Sequence, residues 1–95
     1  MAAAIRTEQR EAFKIDLSGA FIRRTDLSNA NLKGANLSDA DCTNVNFRGA
    51  NLQNAILDGT ILRGADLTGV RNLTRSQIAR AIIDDRTILP SELPE

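Results

Sequence analysis

The sequence has no histidine, no tyrosine, no tryptophan, one cysteine and no surplus of either charge, twelve basic residues standing against twelve acidic ones. That leaves little for acid-base or nucleophilic catalysis. No catalytic, metal-binding or cofactor-binding residue is therefore assigned, and the chain is expected not to be an enzyme. Zero net charge supplies no overall field for nucleic acid or an anionic membrane, so neither is expected as a partner. The lone Cys42 excludes an intramolecular disulfide and fits a reducing compartment. No apolar run reaches the roughly 18 residues of a membrane span, and Met1 to Ile5 is too short for the core of a signal peptide. The resulting expectation is a cytoplasmic protein, in which the glycosylation triplet Asn72-Leu73-Thr74 is a chance match.

What the sequence does have is a period of five. From Leu17 to Leu67 every fifth residue is apolar, through Ile22, Leu27, Leu32, Leu37, Cys42, Phe47, Leu52, Leu57 and Leu62. Two residues before each of these eleven centres stands a small or medium-sized residue, from Ile15, Ala20 and Thr25 to Thr60 and Ala65. All six glycines fall two residues after a centre. Neither an α-helix nor an alternating strand has this period. Centres and small residues read as one inward-facing ladder. The glycines, with Asn29, Asp39, Asn44 and Asn54 in the same phase, tolerate positive φ and supply corners. Arg24 alone breaks the corner rule.

The unit is small, Asp or Asn, Leu, variable, Gly or Asn, as in Ala30-Asn31-Leu32-Lys33-Gly34 and Ala35-Asn36-Leu37-Ser38-Asp39. It resembles the repeat of the pentapeptide-repeat family over eleven consecutive units, about 55 of the 95 residues. The resemblance implies an all-β solenoid with helical caps. In detail this is a right-handed quadrilateral parallel β-helix of about three coils, four pentapeptides to a coil, with a short N-terminal helix and a C-terminal capping helix. Coils stacked at about 4.8 Å leave room for one large and one small side chain per side. The resemblance also makes a cyanobacterial source unsurprising, since those genomes are rich in the family. One domain is expected, made of an N-terminal helical cap over 1–14, a β-helix over 15–74, and a capping helix with extended tail over 75–95.

In the first flank Thr7 is read as an N-cap followed by Glu8 and Glu11, with Ile5, Ala12 and Phe13 available to cover the first coil. In the last, Leu73-Thr74-Arg75-Ser76-Gln77-Ile78 carries a capping box (Thr74, Gln77) and a hydrophobic staple (Leu73, Ile78). The spacing predicts a helix that stops near Asp84-Asp85. Its face of Ile78, Ala79, Ile82 and Ile83 would lie across the last coil, and Pro90 and Pro94 would keep the tail extended. Leu73 to Leu93 resembles the C-terminal cap of family members.

Cys42, at a centre, is expected to be buried and inert. Asp16, Asp26, Asp41 and Asp66, with the asparagines in their phase, are expected to bond the local backbone rather than calcium. Residues twenty apart should stack. The side of Leu17, Leu37 and Leu57 then carries Asp16, Asp39 and Asp58, and its neighbour carries Arg23, Arg24 and Arg63 against Asp41 alone. Phe21, Ile56 and Ile61 face outward where Asp or Asn is the rule. Either Ile88, Leu89 or Leu93 folds over the two isoleucines, or the patch meets a partner. The candidate interface residues are Phe21, Ile56, Ile61, Arg23, Arg24 and Arg63.

The function expected is that of a small rigid protein–protein interaction module with an unidentified protein partner. A homodimer through the exposed apolar positions or the C-terminal cap is the other form such contact would take. The resemblance implies one alternative. Some family members are similar to B-form DNA in shape and charge, bind DNA gyrase or topoisomerase IV, and confer quinolone resistance. Six acidic against five basic residues in the repeats, over a height of about 13 Å, suit that role poorly.

Overall fold

A computed structural model describes residues 14–95. The N-terminal helix expected within 1–14 thus lies, but for Lys14, outside the described residues. From Asp16 onward, parallel bridges join residues twenty apart: Asp16 to Asn36 to Ile56, Phe21 to Asp41 to Ile61, Asp26 to Asn46 to Asp66, and Asn31 to Asn51 to Arg71. These ladders, five residues apart, run up the first, second, third and fourth faces of a parallel β-helix. Within a ladder the backbone groups alternate. Asn36 N–H donates to Ile15 O and its carbonyl accepts from Leu17 N–H, both at 2.8 Å, while Ala35 O and Leu37 N serve Ile56 of the next coil at 2.9 Å.

The corners follow from the same period. Ala20 N–H donates to Leu17 O at 3.0 Å, and this bond across three residues recurs in every unit to Val70 and Leu67. The third residue of each turn has positive φ, from +58° at Asn54 to +72° at Gly49, as a type II turn requires. Arg24 adopts it too, at +62°, where an L side chain other than Asn or Asp costs about 1–2 kcal/mol. At Gly49 there is a second reason for glycine. A Cβ there would overlap Asn29 Oδ1 of the preceding coil, as one at Gly59 would overlap Asp39 and one at Gly64 would overlap Asn44.

Leu32, Leu37, Cys42, Phe47, Leu52, Leu57, Leu62 and Leu67 are buried, interleaved with Ala35, Ala40, Val45, Ala50 and Ala65. The inward ladder expected from the period is therefore the core. Thr60, the polar member among the small residues, is buried and satisfied, its hydroxyl donating to Leu37 O at 2.6 Å. Leu17, Ile22 and Leu27, in the first coil, are only partly buried.

Past Arg71 the structure departs from expectation. Helix α1 spans Arg75–Ala79, with the capping box formed: Gln77 N–H donates to Thr74 Oγ1 and Thr74 N–H donates to Gln77 Oε1. Leu73 and Ile78 are buried. Yet α1 has five residues and ends at Ala79, well short of Asp84. Ala79 is exposed, and Ile82 and Ile83 are each 40% exposed. Ile82 instead extends the second ladder, donating to Thr60 O at 2.8 Å and accepting from Leu62 N–H at 2.7 Å. Ile88 extends the third through Ala65 O and Leu67 N. The cause is the upper edge of the last regular coil, whose backbone groups need partners. A short helix, with its costly nucleus, competes poorly against them. Where α1 crosses the fourth face, Gln77 Nε2 donates to Leu52 O at 2.8 Å and Ala55 O at 2.9 Å. Among the described residues no buried side-chain nitrogen or oxygen lacks a partner.

Candidate interaction face

Eight of the eleven outer ladder positions in the repeats carry Asp or Asn, and each folds its Oδ1 onto the backbone N–H two residues on. The pairs run from Asp16 with Ser18 and Asp26 with Ser28 to Asn51 with Gln53 and Asp66 with Thr68, at 2.9–3.2 Å. These carboxylates are therefore turn formers, as their phase implied. The hydroxyl of Thr43 holds Asp41 below the usual carboxylate range, helped by Arg23 and Arg63, and Thr68 does the same for Asp66. The three positions without such a turn are Phe21, Ile56 and Ile61.

The second face gathers most of the candidates. Phe21, Asp41, Ile61 and Ile82 form its outer ladder. Beside them run Arg23, Thr43 and Arg63, twenty residues apart, with Arg24 at the corner. Phe21 is 85% exposed. Arg23 Nε lies 3.8 Å from Asp41 Oδ2, while Arg24 and Arg63 make no salt bridge among the described residues. Five of the six candidates thus share one face. Ile56 sits on the first face, 44% exposed. The tail residue laid beside Ile61 is Ile82, whereas Ile88 pairs with Asp66 on the third face and Leu89 and Leu93 pack against the core.

The acidic first face is less acidic than its sequence suggests, because Arg80 reaches Asp58 at 3.6 Å. Cys42 is fully buried, and burial, with Asp41 adding to it, pushes its thiol up to about 12. That is the inert cysteine expected from its position. No group of three or more metal-ligating side chains occurs among the described residues, and none of their helices is long and apolar enough to cross a membrane. The largest depression, about 580 Å³, lies between the fourth face and the tail and is lined by Gln53, Asn54, Asn72, Thr74, Ser76 and Gln77 among others. It offers amides and hydroxyls but no titratable group.

Residues 14–49 and 35–83 match the family model for pentapeptide repeats, in eight copies. The chain is a pentapeptide repeat protein. The family's right-handed β-helix is accordingly its fold. A pentapeptide repeat protein (Rfr23) from the cyanobacterium Cyanothece 51142 matches at 31% identity and a TM-score of 0.61, over 78% of this chain and 53% of that one. This pentapeptide repeat protein therefore spans about half the length of that relative. A second, from Nostoc PCC 7120, is 27% identical over 94% of this chain and 85% of its own, with a TM-score of 0.36. No curated protein matches the chain.

Three residues that shape these faces were not singled out for them from the sequence: Arg80, which pairs with Asp58, Ile82, which lengthens the second ladder, and Asp84, whose Oδ1 accepts from Gly64 N–H at 3.1 Å. A signal existed for Ile82. It stands twenty-one residues after Ile61, one more than the coil length.

Proposed function

We propose that this pentapeptide repeat protein is a non-enzymatic interaction module, a rod of about three coils closed at its C-terminal end by α1 and the rungs at Ile82 and Ile88. Its second face is the contact surface, and its partner is a protein with acidic groups around an apolar pocket. The observation that carries the reading is a coincidence of two departures. Among the repeat's corners, Arg24 is the one that holds positive φ without being Gly, Asn or Asp. It stands three residues from Phe21, the most exposed of the large apolar side chains among the described residues. Backbone strain and an exposed aromatic each cost stability, and strain tends to persist where a function requires it. Phenylalanine and arginine are also the residue types enriched in interface centres. The charge supports the same partner, since Arg24 and Arg63 carry no local counter-ion. What counts against the DNA-mimic reading is the near balance of charge in the repeats and the neutralisation of Asp58 by Arg80.

The test places a benzophenone side chain at Phe21 and, as a control, at Gln53 on the fourth face, and combines each with Arg24→Asn. Adducts formed in cell extract from position 21 alone, and weakened by Arg24→Asn while the melting temperature rises, are the expected result. Equal labelling from both positions, or labelling indifferent to Arg24, sinks the proposal.

A further inference from the structure

The two ends of the solenoid are not equivalent. In the inner coils each outer residue turns both backbone groups toward the coil before it, as Asn36 does toward Ile15 and Leu17. Their counterparts in the first coil are Asp16, Phe21, Asp26 and Asn31, and among the described residues none of their N–H or C=O groups has a backbone partner. The core is open at the same level. Ile15 is 43% exposed and Leu17, Ile22 and Leu27 are partly buried, whereas Leu37, Cys42 and Phe47, one coil on, are fully buried. A square of apolar side chains thus sits inside a rim of strand-edge groups, a surface that invites pairing with any available strand or chain.

We propose that the chain's own residues 1–13 occupy this end, with Ile5 and Phe13 against Leu17, Ile22 and Leu27. The argument rests on where that segment attaches and what it carries. It joins Lys14, one residue before the rim begins, so it meets the open core as an intramolecular ligand at an effective concentration in the millimolar range. A second copy of the chain would have to exceed that concentration. The helix read over Thr7 to Phe13 would be about 10 Å long, close to the roughly 10 Å spanned by the three extended residues of one coil side. Thr7, Glu8, Gln9, Arg10 and Glu11 supply donors and acceptors for the rim. This proposal stands apart from the second face and can fail without it.

The experiment is methyl NMR on the full chain with a soluble gadolinium chelate in the solvent. Methyls of Leu17, Ile22 and Leu27 are expected to be shielded as well as those of Leu37, with nuclear Overhauser contacts to the Phe13 ring. In the double variant Ile5→Asn, Phe13→Ser they should become several-fold more accessible while Leu57 and Leu62 do not change. Free access of the chelate to Ile22 in the unaltered chain overturns the proposal, and that reading does not depend on the variant folding. Shielding that fades on dilution also overturns it, by assigning the end to a second copy.

Discussion

The repeat and the segment after Arg71 build rungs on the same edges by different means. In the repeat, each rung arrives after twenty residues, prepared by an Asx turn and a positive-φ corner. In the tail, Ile82 arrives after twenty-one residues and Ile88 after twenty-two, and the intervening chain is fastened by side chains. Gln77 bonds two carbonyls, Asp84 accepts from Gly64 N–H, and the Thr87 hydroxyl donates to Leu62 O at 2.7 Å. The difference teaches that an open strand edge dictates pairing even after the sequence has stopped repeating. Regular sequence makes a coil self-supporting, and irregular sequence can still complete one by borrowing the order of the coil beneath.

The largest effect should come from testing where the packing energy lies. Phe47→Ala, in the buried core, is expected to cost about 3–5 kcal/mol. Ile82→Ala, whose backbone does the pairing while its side chain is 40% exposed, should cost about 1 kcal/mol. Urea denaturation followed by circular dichroism compares them, and equal losses would mean that the tail shares the core on the same terms as the repeat. Next comes the corner stack. Gly49→Ala incurs both positive-φ strain and overlap with Asn29, for a loss of about 2 kcal/mol or more. Gly69→Ala, whose nearest neighbour would be Gly49 N at 3.8 Å, incurs only strain of about 1 kcal/mol. Adding Asn29→Gly should recover part of the first loss and none of the second.

Gln77→Ala removes half of the capping box and both bonds to the fourth face, and should cost about 1–2 kcal/mol. Its mark is faster amide exchange at Ile82 and Gly59, which pair with the tail, with Leu37 unaffected. Acid should give the mildest separation of the two regions. Asp16, Asp41 and Asp66 are held below the ordinary 3.8 by hydroxyl and backbone donors. Burial pushes Asp84 up, but donors at Gly64, Arg86 and Thr87 outweigh it and leave it lowered too. A carboxylate whose folded pKa is depressed contributes stability that is complete above the unfolded value and lost as pH falls through the folded one. The melting temperature should therefore hold from about pH 7 to 5 and decline below about pH 4. Amide exchange at Gly64, which the tail's Asp84 protects, should rise before that at Leu37.

The centres, the small residues and the corners, Arg24 included, could be read from the sequence because a fixed period forces every side chain into one orientation. Leu37 and Gly49 have no freedom to be elsewhere. Phe21, Arg23, Arg63 and Ile61 could be placed on one face by the same arithmetic. The tail could not. Thr74 and Gln77 announce a helix start, but the stop depends on the edge that Thr60 and Leu62 present, which no local pattern around Ile82 encodes. Arg80 meeting Asp58 has the same origin, since the pair exists only once the chain has been turned back by that edge.

The stacking of a side-chain amide or carboxylate over a glycine, as at Asn29 and Gly49, limits how such a chain can change in length. Insertion of one pentapeptide would keep the inward and outward phase, yet rotate everything after it by a quarter turn. Arg63 would leave the face of Arg23, and the Asn29 side chain would no longer meet the glycine that makes room for it. A whole coil of twenty residues could be gained or lost with the faces intact. The molecule is therefore free to grow in steps of one coil and resistant to growth in steps of one repeat.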